Sequence, residues 1–221
     1  MSEMTEFLDR VAKKDAALEQ GGAEWLFARV GHVTCSRLKD VMDKLKSGKP
    51  GEKRQTYLME LVVERLTGKP TDHFASAAMQ YGTDMEPLSR MAYEAATGTL
   101  VEESGFIHHP TIPFCGGSCD GLIGDDGIFE SKSPWNSANH IYTVLDGMPP
   151  EHMAQVQGLM AVTGRKWCDF QSFDQRLPSP LDRYCQRIER DDKYIAAMEA
   201  EVIAFSAEVA ATVQRLHDKT K

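Results

Sequence analysis

The chain of 221 residues is 42% hydrophobic and 26% charged, with a net charge of −8 at pH 7. This length and composition are typical of a globular protein with one hydrophobic core, so we expect a single domain over residues 1–221. No apolar run approaches a membrane span and the first residues lack a signal-peptide pattern, which predicts a cytoplasmic protein with no membrane partner. Five scattered cysteines, an odd number, argue against a disulfide framework.

Apolar residues that recur every three or four positions predict helices on both sides of a group of strands. Trp25–Val33 is strand-like or irregular. Ser36 is a natural N-cap for a helix that Gly48 and Pro50 end. The predicted helices cover residues 1–20, 36–48, 53–66, 75–97, 151–162 and the chain from 191 onward. The predicted strands cover residues 105–109, 115–122, 128–132, 167–173 and 184–189. This order predicts one α/β or α+β domain.

Residues 37–54 are basic, with seven Lys and Arg side chains against three acidic ones. The net charge of the whole chain argues against a protein coated in positive charge for nucleic acid. A local basic surface can nevertheless guide a polyanion to one face. A solvated helix face is the alternative interpretation of the same segment.

Residues 118–132 carry the pattern with the clearest chemical meaning. One strand ends near Leu122, a Gly-Asp-Asp-Gly turn follows, and the next strand ends at Lys132. Side chains two apart in a strand share a face, so Glu130 and Lys132 project together, and a hairpin brings Asp120 beside them. Two carboxylates and one amine suit binding of Mg²⁺ and handling of a water molecule. The spacing alone is a weak motif, and a structural ion pair competes with it.

Two other sites follow from the residues alone. A helix that begins at Ser36, with Arg29 nearby, offers a phosphate site, although a simple helix cap explains Ser36 equally well. Glu86 lies close to the apolar stripe of its predicted helix, where it faces either a metal ion or solvent.

Other chemistries fit less well. The histidines and cysteines at His108, His109, Cys115 and Cys119 lack the spacing of a zinc site. No cysteine stands at an evident helix N-terminus beside a histidine, which argues against a cysteine hydrolase. The Gly48-Lys49 pair lacks the rest of a phosphate-binding loop, which argues against an NTPase.

Several short motifs, in the same order and with similar spacing, resemble the phage lambda exonuclease-type family of YqaJ viral recombinases. The resemblance covers most of residues 20–200 and implies a restriction-endonuclease-like core, with a central mixed β-sheet flanked by helices. Two positions depart from the family: Cys119 replaces a proline, and Lys46 replaces an arginine near the DNA end. The matching motifs are Trp25-Leu-Phe-Ala-Arg29, Thr34-Cys-Ser36, Tyr81-Gly-Thr-Asp-Met-Glu86, Ser118-Cys-Asp120, Glu130-Ser-Lys132, Met153-Ala-Gln-Val-Gln157 and Ile188-Glu-Arg-Asp-Asp-Lys-Tyr194.

The resemblance implies a catalytic centre with two Mg²⁺ ions, for which Mn²⁺ substitutes. Lys132 would position or deprotonate the attacking water, and Gln157 would orient that water or Lys132. Lys46 would contact DNA. The implied metal ligands are Glu86, Asp120, Glu130 and the backbone carbonyl of Ser131, and the implied 5′-phosphate site is Arg29, Ser36 and Ser118.

The implied activity is a 5′-to-3′ exonuclease on double-stranded DNA ends that releases mononucleotides and leaves a 3′ tail. The implied assembly is a ring-shaped homotrimer that passes the tail to a single-strand annealing recombinase, in the cytoplasm of a bacterium or phage-infected host. An endonuclease or nickase on the same fold is one alternative. A non-catalytic protein that binds DNA ends is another.

Overall fold

Helices and strands alternate through the computed structural model, which describes residues 3–71 and 76–220. The helices are α1 (Glu3–Ala16), α2 (Ala23–Ala28), α3 (Leu38–Val41), α4 (Glu52–Thr67), α5 (Ala77–Thr97), α6 (Ser137–Asp146), α7 (Met153–Thr163) and α8 (Asp192–Lys219). The strands are β1 (Val33–Thr34), β2 (Ile107–His108), β3 (Cys115–Gly117), β4 (Gly121–Ile123), β5 (Gly127–Lys132), β6 (Trp167–Phe173) and β7 (Arg183–Glu189). Two short 3₁₀ helices cover Cys35–Arg37 and Pro150–His152.

The strands form two mixed sheets flanked by helices, which confirms the predicted fold class. The first sheet has the order β1-β3-β2, and the second has the order β4-β5-β6-β7. In the second sheet β4 and β5 form an antiparallel hairpin, β5 and β6 are parallel, and β6 and β7 are antiparallel. The parallel pair is joined by a crossover that contains α6 and α7, as parallel strands require.

The expected strand over 115–122 is divided between the two sheets. The division lies at Ser118–Asp120, where the Cys119 carbonyl accepts hydrogen bonds from the side chains of Gln20 and Ser104. A carbonyl that bonds to side chains does not continue a strand ladder. The chain therefore leaves the first sheet at β3 and enters the second at β4, with Asp120 at the junction.

The core lies between the sheets and the helices α4, α7 and α8. Helix α7 is buried along most of its length, from Ala154 to Val162. Gly158 permits this close packing, because a Cβ there would lie 2.2 Å from Leu38 Cδ1. The α7 backbone is thereby held against α3 on one side and the strands of the site on the other.

The two elements predicted over residues 25–48 differ from the structure. Residues Ala23–Ala28 are helical rather than strand-like, and a six-residue helix is too short to show a 3.6-residue period. Ser36 lies inside a 3₁₀ helix rather than at an N-cap, and α3 ends at Val41. The chain then forms a turn in which the Leu45 N–H donates to the Lys49 carbonyl at 2.8 Å.

Helix α6 was not predicted, because the polar residues His140 and Thr143 occupy its buried face. Helix α5 runs unbroken through Gly82 and Pro87, and its predicted first residue, Ala75, lies outside the described residues. None of the described helices is long and apolar enough to cross a membrane.

Candidate active site

The β4–β5 hairpin brings Asp120, Glu130 and Lys132 together. Asp120 immediately precedes β4, and its Oδ2 accepts a hydrogen bond of 2.7 Å from the Ser131 N–H on β5. Glu130 and Lys132 share one face of β5, and Lys132 Nζ lies 2.5 Å from Glu130 Oε1. The pairing of Gly121 with Phe129 sets this register. A shift of one residue would turn Glu130 and Lys132 to the other face of the sheet.

Helix α7 adds a side chain to this cluster that the sequence did not single out. Gln155 Nε2 donates to the same Glu130 Oε1 at 2.5 Å. That oxygen therefore receives two donors, while Glu130 Oε2 is buried and has no hydrogen-bond partner among the described residues. An unpartnered buried carboxylate oxygen is costly unless a further group binds it.

The carboxyl groups of the site have raised pKa values. Glu130 is only 1% exposed. Burial, reinforced by the charge of Asp120, raises its pKa to about 8. The pKa of Glu86 rises to about 7 for the same two reasons. Burial also raises the pKa of Asp120, against the attraction of Lys132 and the hydrogen bond from Ser131.

Lys132 is the positive charge that partly offsets these carboxylates. Burial by itself lowers the pKa of Lys132, but Glu130 and Asp120 outweigh that effect and raise the pKa above its ordinary value. The side chain therefore carries its proton and is a hydrogen-bond donor.

These residues suit a small, hard divalent cation. Within residues 3–71 and 76–220, no three His, Cys, Asp or Glu side chains stand in an arrangement that holds a metal by themselves. Mg²⁺ commonly takes only one or two protein carboxylates and completes its shell with water and substrate phosphate. Asp120 and Glu130, with its unpartnered Oε2, supply such a pair. The donor set therefore fits Mg²⁺ or Mn²⁺ and not a closed protein cage.

A cavity of about 510 Å³ opens beside this cluster. It is lined by Asp120 and, from one face of α5, by Glu86 and Arg90. Glu86 and Asp120 therefore face one cavity. Gln20 also lines the cavity, and its Nε2 donates to the Ser104 and Cys119 carbonyls at 2.8 Å each, which fixes the chain just before Asp120.

Arg29 and Ser36 line a second cavity, of about 370 Å³. The Arg29 guanidinium lies 3.9 Å from the centroid of the Trp25 ring. Trp25 Nε1 in turn donates to Ser118 Oγ at 2.9 Å. Burial lowers the pKa of Arg29 from its ordinary value. The structure thus brings together Arg29 and Ser36, while Ser118 is connected to Arg29 through Trp25.

Gln157 makes its hydrogen bonds to backbone groups. Its Nε2 donates to the Glu189 carbonyl at 2.9 Å, and its Oε1 accepts from the Asp191 N–H at 2.9 Å. Residues two apart on a helix face different directions, so Gln155 reaches Glu130 while Gln157 holds the junction between β7 and α8. The role of Gln157 in orienting the attacking water or Lys132 stays a prediction.

Lys46 lies in the exposed turn after α3 and forms no ion pair with the described residues. Three of the seven basic side chains of residues 37–54 form ion pairs within the chain. Arg37 pairs with Asp40 and Glu60, Lys44 with Glu201, and Arg54 with Glu208.

Sequence reasoning missed Gln155, Gln20 and Arg90. Gln155 and Gln157 form one Gln-Val-Gln pattern, so the sequence signalled a glutamine without indicating which one. Arg90 follows Glu86 by four residues, a spacing that places both on one helix face. Gln20 carries no local signal, because its partners at Ser104 and Cys119 are distant in the chain.

The chain is similar to solved exonuclease structures. An alkaline exonuclease from Laribacter hongkongensis (LHK-Exo) is 48% identical, with a TM-score of 0.84 over 90% of this chain and 98% of that chain. The same values hold for LHK-Exo in complex with dAMP. A phage-related exonuclease from Haemophilus somnus 129PT, 15% identical with a TM-score of 0.67 over 84% of this chain and 96% of that one, shares the fold.

No curated protein sequence matches the chain. The model of the YqaJ-like viral recombinase domain matches residues 24–166, a span that includes Arg29, Glu86, Asp120, Glu130 and Lys132. This protein therefore belongs to the YqaJ-like viral recombinase family, which is the lambda exonuclease-type family.

Proposed function

We propose that the protein is a divalent-metal-dependent exonuclease that degrades double-stranded DNA from the 5′ end. The products would be 5′-mononucleotides and a 3′ single-stranded tail. The observation that carries the proposal is the meeting of Asp120, Glu130 and Lys132 across the β4–β5 hairpin, next to a cavity that Glu86 enters. The similarity to an alkaline exonuclease, one of whose structures contains dAMP, supports it.

Asp120, Glu130, Glu86 and the Ser131 carbonyl would hold two Mg²⁺ ions, with Mn²⁺ as a substitute. When bound, these ions supply positive charge that stabilises the phosphate oxygens during displacement. The unpartnered Oε2 of Glu130 and the raised pKa values of Glu86 and Glu130 support this assignment, because each marks a carboxylate that a cation would stabilise.

Lys132 would hold the attacking water by donating a hydrogen bond to it. Its raised pKa favours positioning of the water over removal of a proton from it. Gln155, which shares Glu130 Oε1 with Lys132, would keep the Glu130 carboxylate in one orientation. Both side chains thus act on the same carboxylate from two different elements.

Polarity would be set by the cavity of Arg29 and Ser36. A guanidinium that is half-buried and stacked on Trp25 is preorganised to bind a phosphate. We propose that it takes the 5′-terminal phosphate of the strand being degraded, with Ser118 holding Trp25 in place. A terminal phosphate anchored at a fixed distance from the metal site would define the size of the product.

The assembly we propose is a homotrimeric ring that encloses the duplex and hands the 3′ tail to a single-strand annealing recombinase. Exposed lysines on the segment around Lys46 would line the channel. Light scattering coupled to size-exclusion chromatography measures the mass directly. A monomer at micromolar concentration would contradict the ring.

The test of the activity uses linear duplex with either a 5′-phosphate or a 5′-hydroxyl, in the presence of Mg²⁺. We expect faster loss of the phosphorylated strand. Asp120→Asn and Lys132→Gln should each lower kcat by on the order of 10³-fold or more, because residues that act as a unit fail together. Asp125→Asn, an exposed carboxylate on the turn of the same hairpin, is the matched control and should retain activity.

Three results would contradict parts of the proposal. Equal rates on the two duplexes would remove the 5′-phosphate site. Cleavage of closed circular duplex would favour an endonuclease. Linear duplex that stays intact with Mg²⁺ or Mn²⁺ would favour a protein that only binds DNA ends.

A further inference from the structure

Among the described residues, Arg90 is the one positively charged residue that lines the cavity of Glu86 and Asp120. It lies one helical turn beyond Glu86 on α5, so both side chains share a face of the helix. The lining also contains the carboxylates of Glu19 and Glu103. A DNA phosphate that enters this cavity therefore meets four carboxylates and a single guanidinium.

The ion pair of Arg90 with Glu103 is weak enough for another anion to replace Glu103. Arg90 forms an ion pair with Glu103, whose side chain is 67% exposed, while the Arg90 side chain is only 23% exposed. An ion pair with a largely solvated carboxylate contributes little, because water competes for the same charge. The guanidinium is thus largely shielded from solvent but is only weakly neutralised by its partner.

We infer that Arg90 binds a non-bridging oxygen of the scissile phosphate. The phosphate would replace Glu103 as the partner of Arg90. This inference rests on the proposed nuclease activity. A guanidinium matches a phosphate with two parallel N–H donors, which a lysine cannot reproduce. The role is separate from that of Arg29, because the two cavities share no lining residue. Arg29 would take the terminal phosphate, and Arg90 the phosphate that is cleaved.

The shared cavity agrees with this position. Arg90, Glu86 and Asp120 line the same cavity, so the guanidinium lies beside two of the carboxylates that would hold the metal ions. A group that lies within reach of those carboxylates also lies within reach of a phosphate bound between them.

The experiment compares Arg90→Gln, Arg90→Lys and Glu103→Gln on 5′-phosphorylated linear duplex with Mg²⁺. We expect Arg90→Gln to lower kcat by about 10²-fold to 10³-fold with little change in KM for DNA ends, as for loss of one preorganised donor to a transition-state oxygen. Arg90→Lys should recover part of the rate. Glu103→Gln should keep the wild-type rate, because it removes the ion pair and leaves the guanidinium.

A second readout does not depend on turnover. We expect Arg90→Gln to weaken binding of the 5′-phosphorylated dinucleotide pdApdA, measured by calorimetry with Ca²⁺ in place of Mg²⁺ so that the ligand stays intact, by about tenfold or more. Binding of dAMP, whose single phosphate corresponds to the terminal one, should not change. Urea midpoints of all three variants should match the wild type, which excludes a folding defect.

Two outcomes would overturn the inference. One is an equal loss in Arg90→Gln and Glu103→Gln, since that identifies the ion pair as structural. The other is an Arg90→Gln variant with wild-type kcat and wild-type affinity for the dinucleotide. If the wild-type protein degrades no DNA, the proposed function fails on its own, and the dinucleotide measurement still decides whether Arg90 binds the phosphate between two nucleotides.

Discussion

At the scale of single residues, the site concentrates charge where water is scarce. Glu130 is almost fully buried, and one of its oxygens has no partner among the described residues. Such a carboxylate destabilises the folded chain unless a cation binds it, which is a common cost of active sites. The two glutamines of the Gln-Val-Gln pattern have different partners. Gln155 contacts the Glu130 carboxylate, whereas Gln157 contacts backbone groups.

We predict opposite effects for alanine at these two positions. Gln155→Ala should lower kcat by about 10–100-fold and leave the urea midpoint nearly unchanged, because it removes a contact to a carboxylate of the proposed metal site. Gln157→Ala should cost about 1–3 kcal/mol of unfolding free energy, because the Glu189 carbonyl and the Asp191 N–H lose the partner that a buried side chain supplies. Each variant is the control for the other. An unstable Gln155→Ala variant that keeps full activity would reverse the assignment.

At the scale of elements, α7 is the helix that connects the core to the site. It presents Gln155 to β5, Gln157 to the start of α8, and Gly158 to α3. The close approach at Gly158 fixes the depth at which the helix lies. The position of Gln155 relative to Glu130 therefore depends on packing several residues away.

Alanine substitutions at two helical glycines test this packing. Gly158→Ala should destabilise the protein by about 1–3 kcal/mol, because its Cβ would overlap Leu38 Cδ1. Gly82→Ala should instead stabilise α5 by up to about 1 kcal/mol, because no atom lies within 4 Å of the added Cβ. Thermal and urea unfolding measure both. A harmless Gly158→Ala substitution would show that α7 can move away from α3.

At the scale of the whole molecule, only some basic side chains of residues 37–54 are free of ion pairs with the described residues. Ion pairs occupy Arg37, Lys44 and Arg54, whereas the exposed lysines of that segment form no ion pair with the described residues; they are Lys39, Lys46, Lys49 and Lys53. A net charge of −8 repels DNA from most of the surface. A duplex would therefore be directed to the segment that carries these free lysines.

The double variant Lys46→Glu, Lys49→Glu should shorten processive degradation and weaken binding to duplex. If both lysines contact phosphates, the slope of log K against log salt should fall by about 2, since each contact contributes about 0.9. Lys193→Glu with Lys219→Glu changes the net charge equally at exposed positions on α8 and is the control. Equal effects of the two double variants would show that only total charge matters.

The local sequence determined the long helices and the hairpin motif of this protein. Helices α4, α5 and α8 follow from apolar periodicity, since their backbone hydrogen bonds join neighbouring residues. The meeting of Asp120 with Glu130 and Lys132 follows from the alternation of side chains across a short hairpin, and the family follows from the order of the motifs.

The tertiary structure alone decided which glutamine reaches Glu130, that the strand after Cys115 divides, and that Arg90 shares the cavity with Asp120. Each of these depends on contacts between residues far apart in the chain, such as Gln20 with Cys119 or Gln155 with Glu130. Local periodicity carries no information about such contacts, because they arise only when separate elements pack against one another.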